Sequence, residues 1–224
     1  STVYDELDAI GVNYNLHKYD ELHEKYPEKM IFASECCATG STRGWYFPDC
    51  PEKAYLGAYD KDTVPNWFLG RENTWKFIME REWVLGSYQW IAFEHRGETV
   101  WPRLCSQSGA IDLYMQKKDA FYQNKSLFTD APMVHLLPHW NWQGLEGRQI
   151  AVWAYTNCPE LELFLNGVSL GRKKIRRYGH GEWQVTYTPG TLEVKAYDEN
   201  GTEIATDKQT TSGKAYRLRL IQDT

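Results

Sequence analysis

The order of apolar and polar residues divides the chain near residue 130 into two parts with different periods. The runs AIGVNYN (residues 9–15) and MIFAS (residues 30–34) are nearly continuous apolar segments, as expected of strands buried on both faces of a parallel sheet. A third run, VLGSYQWIAF (residues 84–93), is rich in aromatic and β-branched residues. Apolar residues at spacings of three and four predict helices near residues 19–26, 67–83 and 113–127. Alternating strands and helices are typical of parallel α/β sheets and barrels.

Beyond residue 130 the apolar residues recur with a period of two. The segment LELFL (residues 161–165) alternates around one face, and the Asn166-Gly167 pair that follows is a strong hairpin signal. The same pattern returns on both sides of Glu199-Asn200-Gly201. About seven short strands in this part favour an immunoglobulin-like β-sandwich. The sequence therefore predicts an α/β domain over residues 1–130 and an all-β domain over residues 131–224.

A basic run, RKKIRR at residues 172–177, stands out in the second part. Such a run can bind an anion, but lysine and arginine also protect exposed strand edges from pairing with other chains. We expect an exposed edge strand or hairpin here.

Composition and charge narrow the classes of function. The 224 residues carry 25 Lys and Arg against 30 Asp and Glu, a net charge of −5, so no overall basic field favours nucleic acid. No apolar run approaches the roughly 20 residues that span a bilayer, so no membrane partner is expected. The five cysteines are irregularly spaced and match no zinc pattern, which predicts buried apolar side chains. No metal and no cofactor is predicted.

Candidate chemistry collects where the predicted strands end. Asn13 and Tyr14 end the first strand, Glu35 follows the second, and Trp90 and Glu94 end the third. In parallel α/β barrels the reacting groups stand at these carboxyl ends. A carboxylate among aromatic rings suits glycoside chemistry, because the carboxylate stabilises the reacting sugar carbon and the rings stack on sugar faces. From the residues alone, two other roles stay open. Glu35 can be a cap or an ion-pair partner, and Trp90 can be a core residue.

Four segments of the first part resemble the last strands of the catalytic barrel of glycoside hydrolase family 2, the β-galactosidase family. These segments are AIGVNYN, YDELHEKYPEKMIFASE, REWVLGSYQWIAFEHRGE and SGAIDLYMQKKDAFY. In the second part, PHWNWQG and ELELFLNGVSLGRKK resemble the sandwich domain that follows that barrel. The resemblance implies that residues 1–130 are about strands six to eight of a (β/α)8 TIM barrel and that an immunoglobulin-like sandwich follows.

The resemblance also implies site residues. It implies a retaining hydrolase of terminal β-D-galactosides in which Glu35 is the nucleophile and Tyr14 donates a hydrogen bond to it. Trp90 would stack on the sugar, and Asn13 and Arg43 would contact the substrate. β-Glucuronides and β-mannosides, which other branches of the family cleave, stay open as substrates.

Two departures from the family pattern matter. Many relatives read Phe-Asp-Tyr where this chain reads Phe93-Glu94-His95, and the acid/base glutamate that follows an Asn at the fourth strand end is absent here. The chain also begins at Ser1 with no initiator Met. We therefore expect a piece of a longer enzyme, inactive alone, whose partners are the N-terminal domains and a β-galactoside or oligosaccharide. Open sheet edges would allow oligomers, and a periplasmic or extracellular location is favoured over the cytoplasm.

Two other classes of function are open at this stage. One is a non-catalytic carbohydrate-binding module that uses Trp140, Trp142 or Trp183. The other is a structural spacer, and the position of PHWNW at the start of the sandwich favours packing of Trp140 and Trp142 against the first domain.

Overall fold

The first half of the molecule is built on a small parallel sheet. The computed structural model describes residues 2–62 and 69–221. Strands β1 (Ala9–Asn13), β2 (Met30–Cys36) and β3 (Val84–Gln89) are parallel neighbours in the order β1-β2-β3. Helices α1 (Tyr19–Lys25) and α2 (Arg71–Met79) connect them. Since about eight strands are needed to close such a barrel, this part of the chain is an open sheet, and among the described residues no further strand pairs with β1 or β3.

One apolar cluster holds this sheet to its helices. Ile10 and Ile31 are fully buried on adjacent strands, and Tyr19 of α1 and Ile78 of α2 cover them. Strand β1 alternates between buried and exposed positions, so its predicted burial on both faces is wrong, whereas β2 is buried or partly buried from Ile31 to Cys36.

The boundaries of three predicted elements differ from the sequence prediction. The strand predicted over residues 84–93 ends at Gln89, after which residues 91–92 bond to residues 108–111. The helix predicted over 113–127 is α3 (Asp119–Phe128), because the Asp112 carboxylate accepts backbone N–H bonds from Tyr114 and Gln116 and forms a turn instead. The helix predicted over residues 67–83 is α2 (Arg71–Met79), and its predicted residues 67 and 68 lie outside the described residues. Two short strands, β4 (His95–Arg96) and β5 (Cys105–Ser106), pair antiparallel.

The second half is a β-sandwich, as predicted, of two antiparallel sheets. Their strands are β6 (Val134–Leu137), β7 (Gln149–Thr156), β8 (Glu160–Leu165), β9 (Val168–Lys174), β10 (His180–Thr186), β11 (Thr191–Tyr197) and β12 (Glu203–Thr210). One sheet has the order β12-β11-β8-β9 and the other β10-β7-β6.

The inner faces of the two sheets form one core. Alternate residues of β7, β8, β10 and β11 are buried, as period-two patterning requires. Trp140 is 0% exposed, packs edge-on against Tyr187 at 5.2 Å between ring centroids, and donates from Nε1 to the Thr188 carbonyl at 3.0 Å. This tryptophan is therefore a core residue of the sandwich, and its predicted contact with the first domain is wrong.

The predicted turn and edge strand of the sandwich are confirmed. Asn166 and Gly167 both have positive φ, of 52° and 79°, and join β8 to β9 in a two-residue hairpin. Strand β9 lies at the edge of its sheet and is exposed at every position. Its basic residues thus face solvent, where they oppose pairing with another chain.

Aromatic contacts and two histidine–carboxylate pairs join the halves. Trp142 packs edge-on against Phe47 at 5.2 Å, so its predicted contact with the first domain is confirmed. His180 Nδ1 lies 2.6 Å from Glu72 Oε2 on α2. In the same way, His135 Nε2 lies 2.8 Å from Asp119 Oδ1 on α3. The sandwich therefore packs directly against α2 and α3.

Replacing Trp140 with Ala should destabilise the sandwich by about 3–5 kcal/mol, because the large buried ring leaves a cavity. The matched control is Tyr114→Ala, since Tyr114 is 81% exposed and its loss should cost less than about 0.5 kcal/mol. Urea denaturation followed by circular dichroism measures both. Equal effects of the two substitutions would contradict the core position of Trp140.

The Glu72–His180 pair should make the stability of the protein depend on pH. Burial raises the pKa of Glu72, but hydrogen bonds from His180 and Lys76 outweigh burial and hold the pKa below its usual range. A carboxyl with a lowered folded-state pKa stabilises above its unfolded pKa, and the contribution is lost as pH falls through the folded pKa. Glu72→Gln should therefore destabilise the protein more at pH 7 than at pH 3. A loss that is the same at both pH values in parallel denaturation curves would refute this linkage.

Candidate active site

The carboxyl ends of the three parallel strands bring the predicted site residues to one edge of the sheet. Asn13 lies opposite Glu35 in the β1–β2 register, and the Tyr14 amide donates to the Glu35 carbonyl at 2.7 Å. The Trp90 amide donates to the Cys36 carbonyl at 2.8 Å. Backbone bonds therefore fix Tyr14 and Trp90 on either side of the strand that carries Glu35.

A short side-chain hydrogen bond joins Tyr14 to Glu35. The Tyr14 hydroxyl donates to Glu35 Oε1 at 2.6 Å, and both side chains are partly buried. Tyr14 has a φ of 53°, in the left-handed region, so the chain turns there at the end of β1. Burial first, and then the bond to Glu35, raise the pKa of Tyr14 well above its usual range. The hydroxyl therefore keeps its proton and is the donor of this hydrogen bond, and Glu35 Oε1 is the acceptor.

Asn13 and Trp90 flank this pair. The Asn13 side-chain oxygen accepts from the Ser34 hydroxyl at 2.7 Å, which fixes the amide beside the end of β2. Trp90 is partly exposed, and the His95 ring meets it edge-on at 5.6 Å between centroids. The structure thus places a partly exposed tryptophan at the end of the strand next to the one that carries Glu35, where a sugar-stacking wall is expected.

Arg43 lies in a different setting from the other predicted site residues. Its Nε donates to Asp112 Oδ2 at 2.6 Å, and its side chain is half exposed. Burial raises the pKa of Asp112, but Arg43 and two backbone N–H groups outweigh burial and hold it low. In the described part of the chain the carboxylate partner of Arg43 is therefore Asp112 rather than Glu35.

Lys118 is a polar residue of this region that the sequence reasoning missed. Its Nζ donates to Glu94 Oε1 at 2.7 Å, and Glu94 is the carboxylate that follows the Trp90 strand. Lys118 falls inside the helix predicted over residues 113–127 and is assigned no role there, whereas its side chain is 1% exposed. The signal available in the sequence was Glu94 itself, a carboxylate at a strand end that needs a cation if it is buried.

The cysteines behave largely as small apolar residues. Cys36, Cys37 and Cys158 are buried, Cys50 and Cys105 are partly exposed, and all are free thiols. Cys36 and Cys37 directly follow Glu35, with 3.4 Å between their sulfur atoms. Within residues 2–62 and 69–221, no three His, Cys, Asp or Glu side chains converge as metal ligands, and no helix has the length and apolarity to cross a membrane.

The arrangement offers one of the two carboxyl groups that retaining glycoside hydrolysis uses. Glu35, held in one orientation by the Tyr14 hydroxyl, has the position of an attacking carboxylate. Retaining hydrolysis needs a second carboxyl about 5–5.5 Å away that protonates the leaving oxygen. Glu94, which follows the neighbouring strand, is paired with Lys118 instead.

Known proteins match this chain along nearly its whole length. A β-galactosidase of Bacteroides ovatus, BoGH2A, is 32% identical over 97% of the chain, and a putative β-glucuronidase of Formosa agariphila is 28% identical over 96%. The chain spans only 27% and 25% of the length of these two proteins. Residues 147–205 match a family described as a domain of unknown function, DUF4982.

Solved structures match in the same way. A β-glycosidase from Bacteroides vulgatus superposes with a TM-score of 0.83 at 33% identity, over 93% of this chain and 31% of that chain. A glycosyl hydrolase family 2 member from Bacteroides cellulosilyticus superposes with a TM-score of 0.71 at 27% identity, over 95% of this chain and 27% of that chain. Because the sequence matches and the structural matches agree and cover both halves, the chain belongs to glycoside hydrolase family 2.

Proposed function

We propose that this chain supplies the nucleophile of a retaining β-galactosidase. The observation that carries the proposal is the hydrogen bond from the Tyr14 hydroxyl to Glu35 Oε1, at the carboxyl ends of adjacent parallel strands. A neutral donor at 2.6 Å holds the carboxylate in one orientation. An attacking carboxylate needs a fixed orientation toward the sugar carbon.

The reaction follows a double displacement. Glu35 attacks the anomeric carbon as the bond to the leaving oxygen breaks, and an acid from another part of the enzyme protonates that oxygen. Water then attacks the same carbon, gives its proton to that second group, and releases Glu35 as a carboxylate. Tyr14 keeps its proton throughout and realigns its hydrogen bond as the charge on Glu35 disappears and returns.

The remaining predicted residues have supporting roles in this proposal. Trp90 stacks on an apolar sugar face, Asn13 hydrogen-bonds a hydroxyl beside the nucleophile, and Arg43 contacts substrate at the rim of the site. The strands β1, β2 and β3 are the last strands of a (β/α)8 barrel, and residues 131–224 form the immunoglobulin-like domain that follows residues 1–130. Parallel pairing, helical connections and site residues at the strand ends support this assignment.

The pairing of two cations in this region supports a neutral sugar over a uronate. A glucuronide carboxylate is best bound by an unpaired cation. Arg43 and Lys118, which both contact the loops beyond the strands, are paired with Asp112 and Glu94. β-Glucuronidases stand among the similar proteins beside a β-galactosidase, so β-glucuronides are the second candidate, with β-mannosides behind them.

The acid/base residue, in this proposal, belongs to the part of the enzyme outside these 224 residues. The chain by itself then has no activity, and its partners are the remaining domains and a galactoside or oligosaccharide. Association into oligomers and a periplasmic or extracellular location remain part of the same proposal. A separate carbohydrate-binding role through Trp140, Trp142 or Trp183 has no support, because all three are at most 5% exposed.

Glu35→Gln in the full-length enzyme should lower kcat for an aryl β-galactoside by more than about 1,000-fold, because the amide cannot act as the nucleophile. The parent enzyme should cleave the aryl β-galactoside faster than the matching aryl β-glucuronide. Chromogenic assays with both substrates measure this. Hydrolysis by the 224-residue chain alone, or by the Gln variant at the parent rate, would overturn the proposal, and faster glucuronide cleavage would favour the second candidate.

Tyr14→Phe should lower kcat by about 10- to 100-fold, the effect of losing one hydrogen bond to a charged group. The matched control is Tyr19→Phe, which removes a buried hydroxyl that donates to the Val12 carbonyl at 3.0 Å and does not contact Glu35. Steady-state kinetics of both variants separates the two hydroxyls. An equal loss of kcat in both would show that the effect of Tyr14 is not specific to Glu35.

A further inference from the structure

We propose that Lys118 is a positioning residue that fixes the loop carrying Trp90 against the loop that follows Glu35. This inference rests on the proposed function, because it assigns a role to Lys118 in holding the sugar-stacking wall beside the nucleophile. Lys118 itself touches neither Glu35 nor the substrate.

Three acceptors surround the Lys118 ammonium. Besides Glu94 Oε1 at 2.7 Å, it donates to the Ser41 carbonyl at 2.8 Å and to the Gln107 carbonyl at 2.7 Å. Each acceptor belongs to a different segment: Ser41 follows β2, Glu94 follows β3, and Gln107 follows β5. The three N–H groups of one buried ammonium thus join three loops.

The segment beside Gln107 is bonded to both loops of the candidate site. The Ser41 amide donates to the Gln107 carbonyl at 3.1 Å, and the Ala110 amide donates to the Ile91 carbonyl at 3.0 Å. Gly109 lies so close to the chain at Glu94 that a Cβ atom there would stand 2.1 Å from the Glu94 nitrogen. Displacement of Glu94 therefore moves the backbone that continues directly from Trp90.

The arrangement of these loops depends on the charge of Lys118. A buried ion pair holds only while both partners are present, because a lone buried charge is strongly unfavourable. Burial lowers the pKa of Lys118 although Glu94 opposes the shift, which marks the site as poorly solvated. Without the ammonium, the Glu94 carboxylate and the Ser41 and Gln107 carbonyls lose their shared donor, and the three loops are no longer held together.

A purely structural lysine and a positioning lysine differ in one measurable way. Replacing a buried ion pair with uncharged groups of similar size often restores stability. It does not restore the three-way hydrogen bonding that the ammonium provides. The double variant Lys118→Met/Glu94→Gln should therefore recover the melting temperature lost in Lys118→Met, but it should not recover the sugar contact.

The experiment measures kcat, KM and melting temperature of the full-length enzyme with an aryl β-galactoside, well below the melting temperature of every variant. We expect Lys118→Met to lower kcat/KM by about 100-fold, the effect of misplacing a site by about 1 Å. Most of this loss should appear in KM, because Trp90 binds the sugar before and during reaction. The double variant should keep that raised KM.

Two controls separate position from stability. Lys195→Met removes a lysine of the exposed Lys195–Glu203 pair, at 2.9 Å on the sandwich, and should leave kcat/KM unchanged. Ile78→Ala opens the core of the parallel sheet away from these loops and should lower the melting temperature without raising KM. If Lys118→Met does not fold, KM is measured instead on Glu94→Gln, a nearly isosteric variant that removes the charge of the partner.

Each outcome bears on one proposal. A parent-like KM in Lys118→Met, or in Glu94→Gln where the first does not fold, overturns the positioning role while an inactive Glu35→Gln leaves the proposed function standing. A double variant that recovers both melting temperature and KM also overturns it and makes Lys118 merely structural. Activity retained by Glu35→Gln overturns the proposed function, and the positioning role falls with it.

Discussion

Parallel pairing of β1 with β2 is the constraint on which the rest of the site depends. Because the two strands run in the same direction and end together, Tyr14 and Glu35 meet at one edge, and backbone bonds on both sides of β2 fix their approach. The side-chain hydrogen bond between them then needs no long reach. A one-residue slip in this register would turn Glu35 toward the opposite face of the sheet, so the strand pairing and the candidate chemistry are specified together.

The loops beyond the strands are held in place by different interactions from those that hold the strands. Apolar burial holds β1, β2 and β3 to their helices, whereas ion pairs hold the loops: the buried Lys118 with Glu94, and the half-exposed Arg43 with Asp112. Such contacts are directional and depend on complete pairing. Rigid strands and polar loop contacts together give a site edge whose geometry is sensitive to single atoms.

Much of the fold could be predicted from the sequence, because period-two and near-continuous apolar runs report directly on how strands are buried. The sandwich, the hairpin at Asn166-Gly167 and the exposed strand β9 all follow from such local patterns. Predictions failed where a polar contact, rather than an apolar period, decides. Asp112 shortens a helix because its carboxylate bonds the backbone in a local turn, and Trp140 turns inward to Thr188, a residue far along the chain. The buried state of Lys118 depends on three separate loops, which no local period records.

The contacts between the sandwich and the first half have an evolutionary consequence. Its histidines pair with Glu72 and Asp119, at the starts of the two helices, and Tyr59 reaches the backbone of β7 with a hydrogen bond to Ala151 at 2.5 Å. These partners lie on both sides of the boundary and have to change together. Recombination that exchanged the sandwich alone would leave buried carboxylates and aromatic rings without their partners. The two halves are therefore expected to be inherited as one unit, with the rate of sequence change at these contacts set by the slower of the two surfaces.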